Sequence, residues 1–550
     1  MLSALWFENV DAAGFDSMPN QLKMELSVTA TKAWDVGNLD SLQPQLHYSF
    51  MKDKTGNKMT SGNKTIWYAL RLFVLSGFSG LCLQSNVRAQ ETAEAKPTAE
   101  INTQQWAKLE ADATKIIESV RKQNESYVKL QELCDDIGNR LSGSENLDKA
   151  IEWAQKVLKT DGHENVRAEK VMVPKWVRGA ESLTMTAPRE LDMPVLGLGG
   201  SVGTGADGIS APVIVVDSKE ELDELADDAI KGKIVVFNHT MPPFSETDGS
   251  GYGDAVKFRS SGAKWAAERG GLAALVRSCT AYSLQSPHTG AMRRYGETDE
   301  IKKVPAAAIS IEGATMLRRF QERGITPSVK LYMEAEDKGE APSANVVAEI
   351  VGSEKPDEIV VIGGHIDSWD VGTGAQDDGC GCVVAMEALA QIRKLGLKPR
   401  RTIRVVLWTN EENGTAGARS YAARHIEENH VAAIESDSGG FRPEGLSIEM
   451  EDDKKEQIAV VQLGKILKLL EPIGASRATT GFSGVDVAPL KPSGTACMGL
   501  RVDGRLYFNT HHTTADTVDK VNPKELTDCV ITVAVAAYTI ANVPKQLGVE

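Results

Sequence analysis

The chain has too few basic residues to suggest a nucleic-acid-binding protein. Its 61 Lys and Arg residues stand against 76 Asp and Glu residues, which gives a formal net charge of −15 at pH 7. An extended phosphate-binding surface is therefore excluded unless a basic patch lies in one place. Seven cysteines in 550 residues are also too few for a disulfide-held fold, and no C-x-x-C pair occurs. One or two ordinary disulfide bridges remain compatible with the sequence.

The remaining composition is that of a soluble globular protein. Hydrophobic residues make up 41% and charged residues 25% of the chain, which excludes a collagen-like or wholly disordered protein. At roughly 150 residues per domain, the chain is long enough for two to four domains. A single core that organises all of it is not expected.

A short apolar run near the N-terminus predicts export. A basic stretch precedes the apolar residues 72–83, and a small-residue cleavage site ends at Ala89, which is the order of a secretory signal peptide. The run is shorter than the roughly 20 residues that span a bilayer. We therefore expect a signal peptide at residues 59–89, a secreted or periplasmic location and no stable membrane insertion after cleavage. Met59 is then the expected initiator, and residues 1–58 are either an over-extended translation or a genuine extension.

Two other apolar features allow more than one interpretation. Cys82 could be a lipid-attachment site, but the large Leu81 before it is not typical of that motif. Residues 524–543 predict a helix that is apolar on nearly all sides. Because Thr and Ala dilute its hydrophobicity, burial within the protein is favoured over a membrane span.

The mature chain is predicted to form α/β domains. Residues 90–105 are polar and predict a flexible leader or propeptide, and folding is expected to begin near Trp106. Residues 201–337 have their own succession of strands and helices, which predicts an inserted domain between residues 106–200 and 338–550. In the last part, strands alternate with helices, as in a parallel sheet with helices on both faces. Within the insert we predict strands at 211–216, 233–237 and 273–277, and helices at 219–229 and 255–269.

Three predicted buried strands of the last part are followed at once by polar side chains. Because ligand sites in open α/β sheets gather outside the carboxyl ends of strands, these endings are expected to converge. A helix predicted to open at residues 376–379 and two histidines in a late loop can add further ligands. The candidates are His365 and Asp367 after strand 359–362, Asp377 at the helix start, Glu411 and Glu412 after strand 403–408, Asp437 after strand 431–434, and His511 and His512 in the late loop.

These residue types fit a site for two zinc ions. Two ions about 3.5–4 Å apart need a bridging carboxylate, with His and carboxylate ligands on either side. Asp377 is placed to bridge. His365 and one of Asp437 or Glu412 can serve the respective metals, and His512 completes the set.

Two further candidates, Glu411 and Asp367, are assigned to supporting roles. Adjacent glutamates at a turn point in different directions, so Glu412 is assigned to metal binding and Glu411 to proton transfer. The His-x-Asp spacing lets Asp367 accept the second ring N–H of His365, which orients a metal-bound imidazole. Taken singly, such motifs are typical of turns, helix caps and surface pairs. Their order, each at the end of a strand, is what indicates a metal site.

These motifs resemble the cocatalytic zinc aminopeptidase and glutamate carboxypeptidase family. The resemblance extends through G-G-H-I-D-S-W-D-V-G-T-G-A-Q-D-D-G, R-T-I-R-V-V-L-W-T-N-E-E, E-S-D-S-G and H-T-T-A-D, and covers about residues 106–545. It implies a phosphorylase/hydrolase-like zinc exopeptidase domain with a mixed, largely parallel sheet, and an inserted α/β protease-associated domain at residues 201–337. It also implies peptide substrates and a possible homodimer.

The resemblance further implies a role for each site residue and two zinc ions per chain. In relatives, the residue before the last His ligand helps to stabilise the oxyanion, which makes His511 a candidate for this role. Simple packing or solvent exposure is the alternative for that residue. The implied roles are one zinc ion for His365 and Asp437, the other for Glu412 and His512, the bridge for Asp377, the general base for Glu411 and the orienting contact for Asp367.

Two segments depart from this pattern or extend it. Close relatives tend to have glycines where this chain has Cys380 and Cys382, which are either small buried residues or oxidation-sensitive thiols near the metals. Residues 286–290, Ser-Pro-His-Thr-Gly, either reach toward the cleft or form a turn with a structural histidine.

The leading hypothesis is an exported dizinc exopeptidase acting on dipeptides or short peptides. An aminopeptidase of broader specificity is the alternative among hydrolases, because no motif identifies which end of the substrate is recognised. A non-catalytic, receptor-like protein on the same fold would be expected to have lost ligands. A glutaminyl-cyclase-like enzyme would use a single zinc ion.

Overall fold

The computed structural model describes residues 102–245, 249–292 and 301–550. The predicted signal peptide, the initiator Met59 and Cys82 lie outside these residues. The described residues form sixteen strands and eleven α-helices, and the strands make two eight-stranded sheets.

The elements are numbered in chain order. The strands are β1 (Glu164–Val177), β2 (Glu181–Ala187), β3 (Leu191–Met193), β4 (Val195–Gly197), β5 (Ile209–Val216), β6 (Ile234–Phe237), β7 (Ala273–Arg277), β8 (Ala306–Ile309), β9 (Ser328–Met333), β10 (Glu336–Ile350), β11 (Lys355–His365), β12 (Arg401–Trp408), β13 (Asn429–Glu435), β14 (Pro443–Glu449), β15 (Arg477–Thr480) and β16 (Ala496–Val502). The helices are α1 (Thr103–Lys122), α2 (Ser126–Gln131), α3 (Glu145–Thr160), α4 (Lys219–Glu224), α5 (Asp227–Ile230), α6 (Tyr252–Glu268), α7 (Ile311–Glu322), α8 (Cys380–Lys394), α9 (Ala416–Arg424), α10 (Asp453–Leu467) and α11 (Pro523–Asn542).

The first sheet has a parallel centre and antiparallel flanks. Its strand order is β1-β10-β12-β11-β13-β16-β14-β15. The neighbours from β12 to β16 run parallel to one another, as do β14 and β15. β10 is antiparallel to β1 and β12, and β14 is antiparallel to β16. The mixed α/β fold predicted from the sequence is therefore confirmed.

Strand β11 shows why the centre of this sheet is buried on both faces. Val360 and Ile362 pack in the core that contains α8 and α11, whereas Ile359 and Val361 pack in the core that contains α9. Successive side chains of a strand point to opposite faces. A strand covered by helices on both sides therefore has a continuous apolar run in its sequence.

Helix α11 is buried along most of its length, as its composition predicts. The side chain of Asn522 accepts a hydrogen bond from the Lys524 amide and caps the helix, and Pro523 occupies the first turn, where a missing N–H leaves no bond unmade. Within the three described ranges, none of the helices combines the length and the apolar character needed to cross a membrane.

The second sheet lies within residues 181–333, with the strand order β3-β2-β9-β5-β6-β7-β8-β4. The three strands predicted in the insert are present as β5, β6 and β7. β5 pairs in parallel with β6, β6 with β7, and β7 with β8. The sheet also includes β2, β3 and β4, which precede the predicted boundary at residue 201. β2 and β4 pair with β9 and β8, which lie much later in the chain. Local sequence patterns do not reveal such long-range pairing.

The helix predicted at residues 219–229 is two short helices, α4 and α5. Between them, Leu225 has extended backbone angles. The guanidinium of Arg269 donates hydrogen bonds to the carbonyl oxygens of Leu222 and Leu225. These two carbonyl oxygens therefore accept hydrogen bonds from a side chain outside the helix, and the helix ends at this point.

Candidate functional site

The carboxyl ends of β11, β12 and β13 meet at one edge of the first sheet. β12 and β13 pair in parallel with β11 on its two sides. His365, Glu411 and Asp437 therefore leave the sheet at the same edge, as the sequence predicts. The loop that contains His512 and the segment before α8 close over this edge, and they complete a cluster of buried histidines and carboxylates.

Asp377 lies at the centre of this cluster. Its Oδ1 atom is 3.2 Å from Nε2 of His365, and its Oδ2 atom is 3.1 Å from Nε2 of His512. One carboxylate thus contacts two histidines, one through each oxygen. This is the arrangement expected of a bridging ligand between two metal ions.

Each histidine also has a second carboxylate beside it. Nε2 of His365 is 3.5 Å from Oδ1 of Asp437, and Nε2 of His512 is 3.1 Å from Oε2 of Glu412. Ligand atoms of His365, Asp377 and Asp437 lie within 4.8 Å of one another. The structure therefore brings together all five residues predicted to bind metal, in two groups that share Asp377.

The ring orientation of His365 is set by a main-chain group. Its Nδ1 atom is 3.0 Å from the carbonyl oxygen of Asp367 and 3.7 Å from the carboxylate of the same residue. The ring N–H therefore donates to the carbonyl, and the predicted hydrogen bond to the carboxylate is wrong. With Nδ1 as the donor, Nε2 keeps its lone pair on the side of Asp377.

The carboxylate of Asp367 instead holds the turn after β12. Its Oδ1 atom accepts a hydrogen bond from the amide of Glu411 at 3.0 Å, and its Oδ2 atom lies 3.4 Å from the amide of Glu412. Both glutamates are at least nine-tenths buried. Asp367 therefore fixes the main chain from which the predicted base and one predicted ligand project. Burial raises the pKa of the Asp367 carboxyl to about 6.

Two acidic residues that sequence analysis left without a role position the predicted ligands. Asp378 accepts hydrogen bonds from the amides of His365 at 3.0 Å and Gly381 at 2.9 Å. It therefore links the end of β11 to the start of α8, which begins at Cys380 rather than at residue 376. In the sequence, the only indication of this role is the D-D-G pattern, which is typical of a helix cap.

Asp516 is the second of these residues. Its carboxylate accepts hydrogen bonds from the amides of Gln376 at 2.8 Å and Asp377 at 3.2 Å. It is the last residue of the H-T-T-A-D segment, which begins at His512. The segment thus fixes the backbone of the central carboxylate in addition to supplying His512.

Residues 286–290 reach the site from the second sheet. The carbonyl oxygen of Thr289 is 3.2 Å from Nδ1 of His512, and the amide of Thr289 donates to the carbonyl oxygen of His512 at 3.0 Å. The first contact orients the imidazole with Nε2 toward Asp377 and Glu412. Of the two possibilities for this segment, the structure supports the one in which it reaches the cleft.

His511 packs against the same cluster. Its ring stacks on that of His512 at a centroid distance of 3.6 Å, and its Nε2 atom is 3.5 Å from Oδ2 of Asp377. The rings of Tyr252, Tyr507 and Phe508 lie around it. Burial, together with the neighbouring His512, keeps the pKa of His511 well below its ordinary value. A neutral imidazole is therefore favoured at this position.

The cluster has the chemistry of a cation site. Burial raises the pKa of Glu412 to about 8 and that of Asp437 to about 6, and the charge of Asp377 adds to both shifts. Among the described residues, Oε1 of Glu412 is buried without a hydrogen-bond partner. Imidazole nitrogens and carboxylate oxygens are typical zinc ligands. The residues present therefore fit a bound divalent metal, which would compensate these buried carboxylates.

The six cysteines of the described residues are buried free thiols, so the disulfide bridges allowed by the sequence are not formed. Sγ of Cys382 is 3.1 Å from the carbonyl oxygen of His365. Burial raises the pKa of Cys380 and Cys382 well above the ordinary thiol range. Both are therefore protonated packing residues at the start of α8.

Comparisons with known proteins agree with this geometry. Residues 345–537 match Peptidase family M28. Carboxypeptidase Q of Bos taurus is 42% identical over 427 residues, which are 77% of this chain and 87% of that protein. Carboxypeptidase Q of Homo sapiens is 40% identical over the same lengths.

Solved structures show the same relationship. A Peptidase M28 precursor from Shewanella amazonensis is 35% identical, with a TM-score of 0.75, over 80% of this chain and 98% of that one. A zinc aminopeptidase from Bacillus subtilis, 17% identical over 76% of this chain and 94% of that one, has the same fold with a TM-score of 0.55. From its similarity to these relatives and from its site, the chain belongs to peptidase family M28 and is a metallopeptidase.

Proposed function

We propose that this chain is an exported exopeptidase that uses two zinc ions to hydrolyse dipeptides or short peptides. The observation that carries the proposal is the position of Asp377, whose two oxygens lie 3.2 Å from His365 Nε2 and 3.1 Å from His512 Nε2. A single-metal site has no need of a carboxylate shared in this way. The relatives named carboxypeptidase Q and the zinc aminopeptidase fold support the same activity.

The proposed ligands form two sets around the shared carboxylate. His365 and Asp437 would hold one zinc ion, Glu412 and His512 would hold the other, and the carboxylate of Asp377 would be shared by the two sets. The main-chain carbonyls of Asp367 and Thr289 accept the Nδ1 protons of the two histidines. Both imidazoles therefore present Nε2 to the metals as neutral ligands, without further reorganisation.

The chemistry follows from this arrangement. Zinc ions bound there would polarise the scissile carbonyl group and lower the pKa of an attacking water to about 7. Glu411 takes the proton of that water and passes it to the leaving amine. The two amides held by Asp367 fix the main chain of Glu411, so that the base is already oriented when a substrate binds. His511, neutral and beside Asp377, is placed to donate a hydrogen bond to the developing oxyanion.

We also assign the second sheet to the protease-associated domain that the sequence predicted, with strands from Glu181 to Met333. Its segment 286–290 orients His512, so this domain helps to build the metal site. Export through a cleaved signal peptide and assembly as a homodimer stay predictions. Gel filtration and N-terminal sequencing of the exported protein test them.

The activity is tested with free and N-blocked dipeptides, before and after chelation and after the return of zinc. We expect hydrolysis of free dipeptides that disappears on chelation and returns when about two equivalents of zinc per chain are restored. Full recovery at one equivalent would contradict the dizinc assignment. Hydrolysis that persists in the fully chelated protein would contradict the metallopeptidase mechanism as a whole.

A further inference from the structure

Arg178 is a buried residue at the point where the chain passes from the first sheet to the second. It directly follows β1, and β2 begins three positions later. Its Nε and Nη2 atoms donate hydrogen bonds to the two carboxylate oxygens of Asp370, at 2.8 and 2.6 Å. Because these two bonds fix both the position and the direction of a planar guanidinium, Arg178 is held firmly against the connection between β11 and α8.

The same guanidinium also holds Thr289, in the segment that reaches the metal site. Its Nη1 atom donates to the carbonyl oxygen of Gly197 at the end of β4, and its Nη2 atom is 3.3 Å from the hydroxyl oxygen of Thr289. That hydroxyl donates its own proton to the Gly197 carbonyl at 2.6 Å. The hydroxyl is thus both donor and acceptor, which fixes the side chain of the residue whose main-chain carbonyl contacts His512.

Asp370 is a rigid anchor for this arrangement. The guanidinium of Arg140 is fully buried and donates to carbonyl oxygens on both sides of Asp370, those of Ile366 and Gly374, at 2.9 and 3.0 Å. The connection that contains Asp370 is therefore held within the first sheet's own domain. The ion pair with Arg178 consequently places the second sheet's segment relative to the metal site, rather than the reverse.

The two histidines of the site differ in what orients them. His365 donates its Nδ1 proton to the carbonyl of Asp367, two positions along the same segment. His512 donates to the carbonyl of Thr289, which belongs to the other sheet's domain. Only the orientation of His512 therefore depends on contacts between the two domains.

We propose that Arg178 and the hydroxyl group of Thr289 position His512 and thereby strengthen the binding of the zinc ion assigned to it. The binding of the ion assigned to His365 does not depend on them. This inference rests on the proposed two-zinc site and names residues that act on one of its two ions. Both are positioning residues, because they act through the Thr289 carbonyl. Contacts behind a metal-bound histidine typically change metal affinity by about 10- to 100-fold.

The test is a zinc titration of the metal-free mature chain against a chelating indicator, which gives the number and affinity of the bound ions without an activity assay. In Thr289→Val, one of two equivalents should bind about 10- to 100-fold more weakly, and the other should be unchanged. The Gly197 carbonyl and Nη2 of Arg178 keep their other partners in this variant. Thr289→Ser retains the hydroxyl and should recover most of the affinity.

A second background identifies the ion that is affected. Glu412→Gln removes a ligand assigned to the same ion as His512, so adding Thr289→Val to it should not weaken the remaining equivalent. Arg178→Gln should reproduce the loss seen in Thr289→Val, and Arg178→Lys should retain part of the affinity. Because Arg178→Gln leaves a buried carboxylate unpaired, its folding is checked by the urea midpoint in chelator, and Thr289→Val decides if it does not fold.

The matched control is Arg318→Gln. Arg318 lies in the second sheet's domain and likewise pairs with a carboxylate, that of Glu221 at 2.7 Å, and donates to a main-chain carbonyl, that of Val215 at 3.1 Å. Its partners belong to that domain alone. This variant should bind both equivalents as the wild-type chain does.

Three results would overturn the inference while the proposed function stands. The first is wild-type affinity in Thr289→Val, and the second is an equal weakening of both equivalents in that variant. The third is an equal loss in Thr289→Ser and Thr289→Val, since the hydroxyl would then not be responsible. A wild-type chain that binds only one zinc ion at saturation would instead contradict the proposed dizinc site, and this inference with it.

Discussion

The carbonyl oxygen of Thr289 lies 3.2 Å from Nδ1 of His512, although 223 positions separate the two residues. Thr289 belongs to the domain of the second sheet, whereas His512 follows the strands of the first. The contact fixes which ring nitrogen of His512 faces Asp377 and Glu412. The two sheets are therefore not independent modules, because a segment of one orients a predicted metal ligand of the other.

Glu411→Gln and Glu412→Gln are expected to impair different properties, the first the rate of hydrolysis and the second the binding of zinc. Glu411→Gln should lower kcat by about 100- to 10,000-fold, as for loss of a general base, while both zinc ions stay bound. Glu412→Gln should lose zinc, since it removes the carboxylate 3.1 Å from His512. Metal analysis and steady-state kinetics of the two variants distinguish the roles. Zinc loss in Glu411→Gln would show that the assignment of the two glutamates is reversed.

Gly290→Ala should disturb the candidate metal site through Arg259, whose Nη1 atom is 3.3 Å from Nδ1 of His512. A Cβ atom at residue 290 would lie 2.3 Å from Nη1 of Arg259, and the φ angle of +138° is itself unfavourable for alanine. Gly481→Ala is the matched control, because Gly481 has a φ of +132° and nothing within 4 Å of its Cβ position. Both variants should lose stability from the backbone, but Gly290→Ala should also lose activity on free dipeptides. Equal kinetic effects in the two variants would rule out crowding of Arg259 as the cause.

The acid stability of the chain should depend on Glu428. Burial alone would raise the pKa of Glu428, but hydrogen bonds from His425 and Arg404 outweigh it and lower the pKa to about 2. The pKa of a glutamate in the unfolded chain is about 4.3. The ion pairs of Glu428 therefore stabilise the folded state above that pH. This stabilisation is lost as the pH falls through about 2, because the folded state is then protonated too.

The measurement is the urea midpoint between pH 2 and 6, in chelator throughout so that metal release does not contribute. The midpoint of Glu428→Gln should be lower than that of the wild type above about pH 4.3 and should change less on acidification. Glu427→Gln, at the exposed neighbouring position, should behave as the wild type does. The same pH dependence in all three proteins would refute a role for Glu428.

The described cysteines should not react while the protein is folded. All six are buried, and burial raises the pKa of Cys134 to about 11 and those of Cys380 and Cys382 well above the ordinary range. A thiolate-specific disulfide reagent should therefore label them only after unfolding. Cys380→Ala and Cys382→Ala should leave the peroxide sensitivity of the activity unchanged. Rapid labelling of either thiol in the native protein would restore the hypothesis of an oxidation-sensitive site.

The convergence of the predicted ligands could be expected from the sequence because most of them follow locally recognisable strands. His365 and Asp437 come directly after continuous apolar strands, and an apolar run of that kind indicates a strand buried on both faces. Parallel strands bring their carboxyl ends to one edge. Strand identity and order along the chain were therefore enough to predict that these residues, with Glu411 and Glu412, would converge.

The supporting contacts were decided only by the tertiary structure. Asp516 holds the amide of Asp377 across 139 positions, Thr289 orients His512 across 223, and β2 joins the second sheet by pairing with β9. The sequence supplied these residues, but a hydrogen bond between distant segments has no local periodicity or propensity to indicate it. It forms only when the packing of the two sheets brings donor and acceptor together, and for the same reason the place of Arg259 behind His512 is a property of the fold.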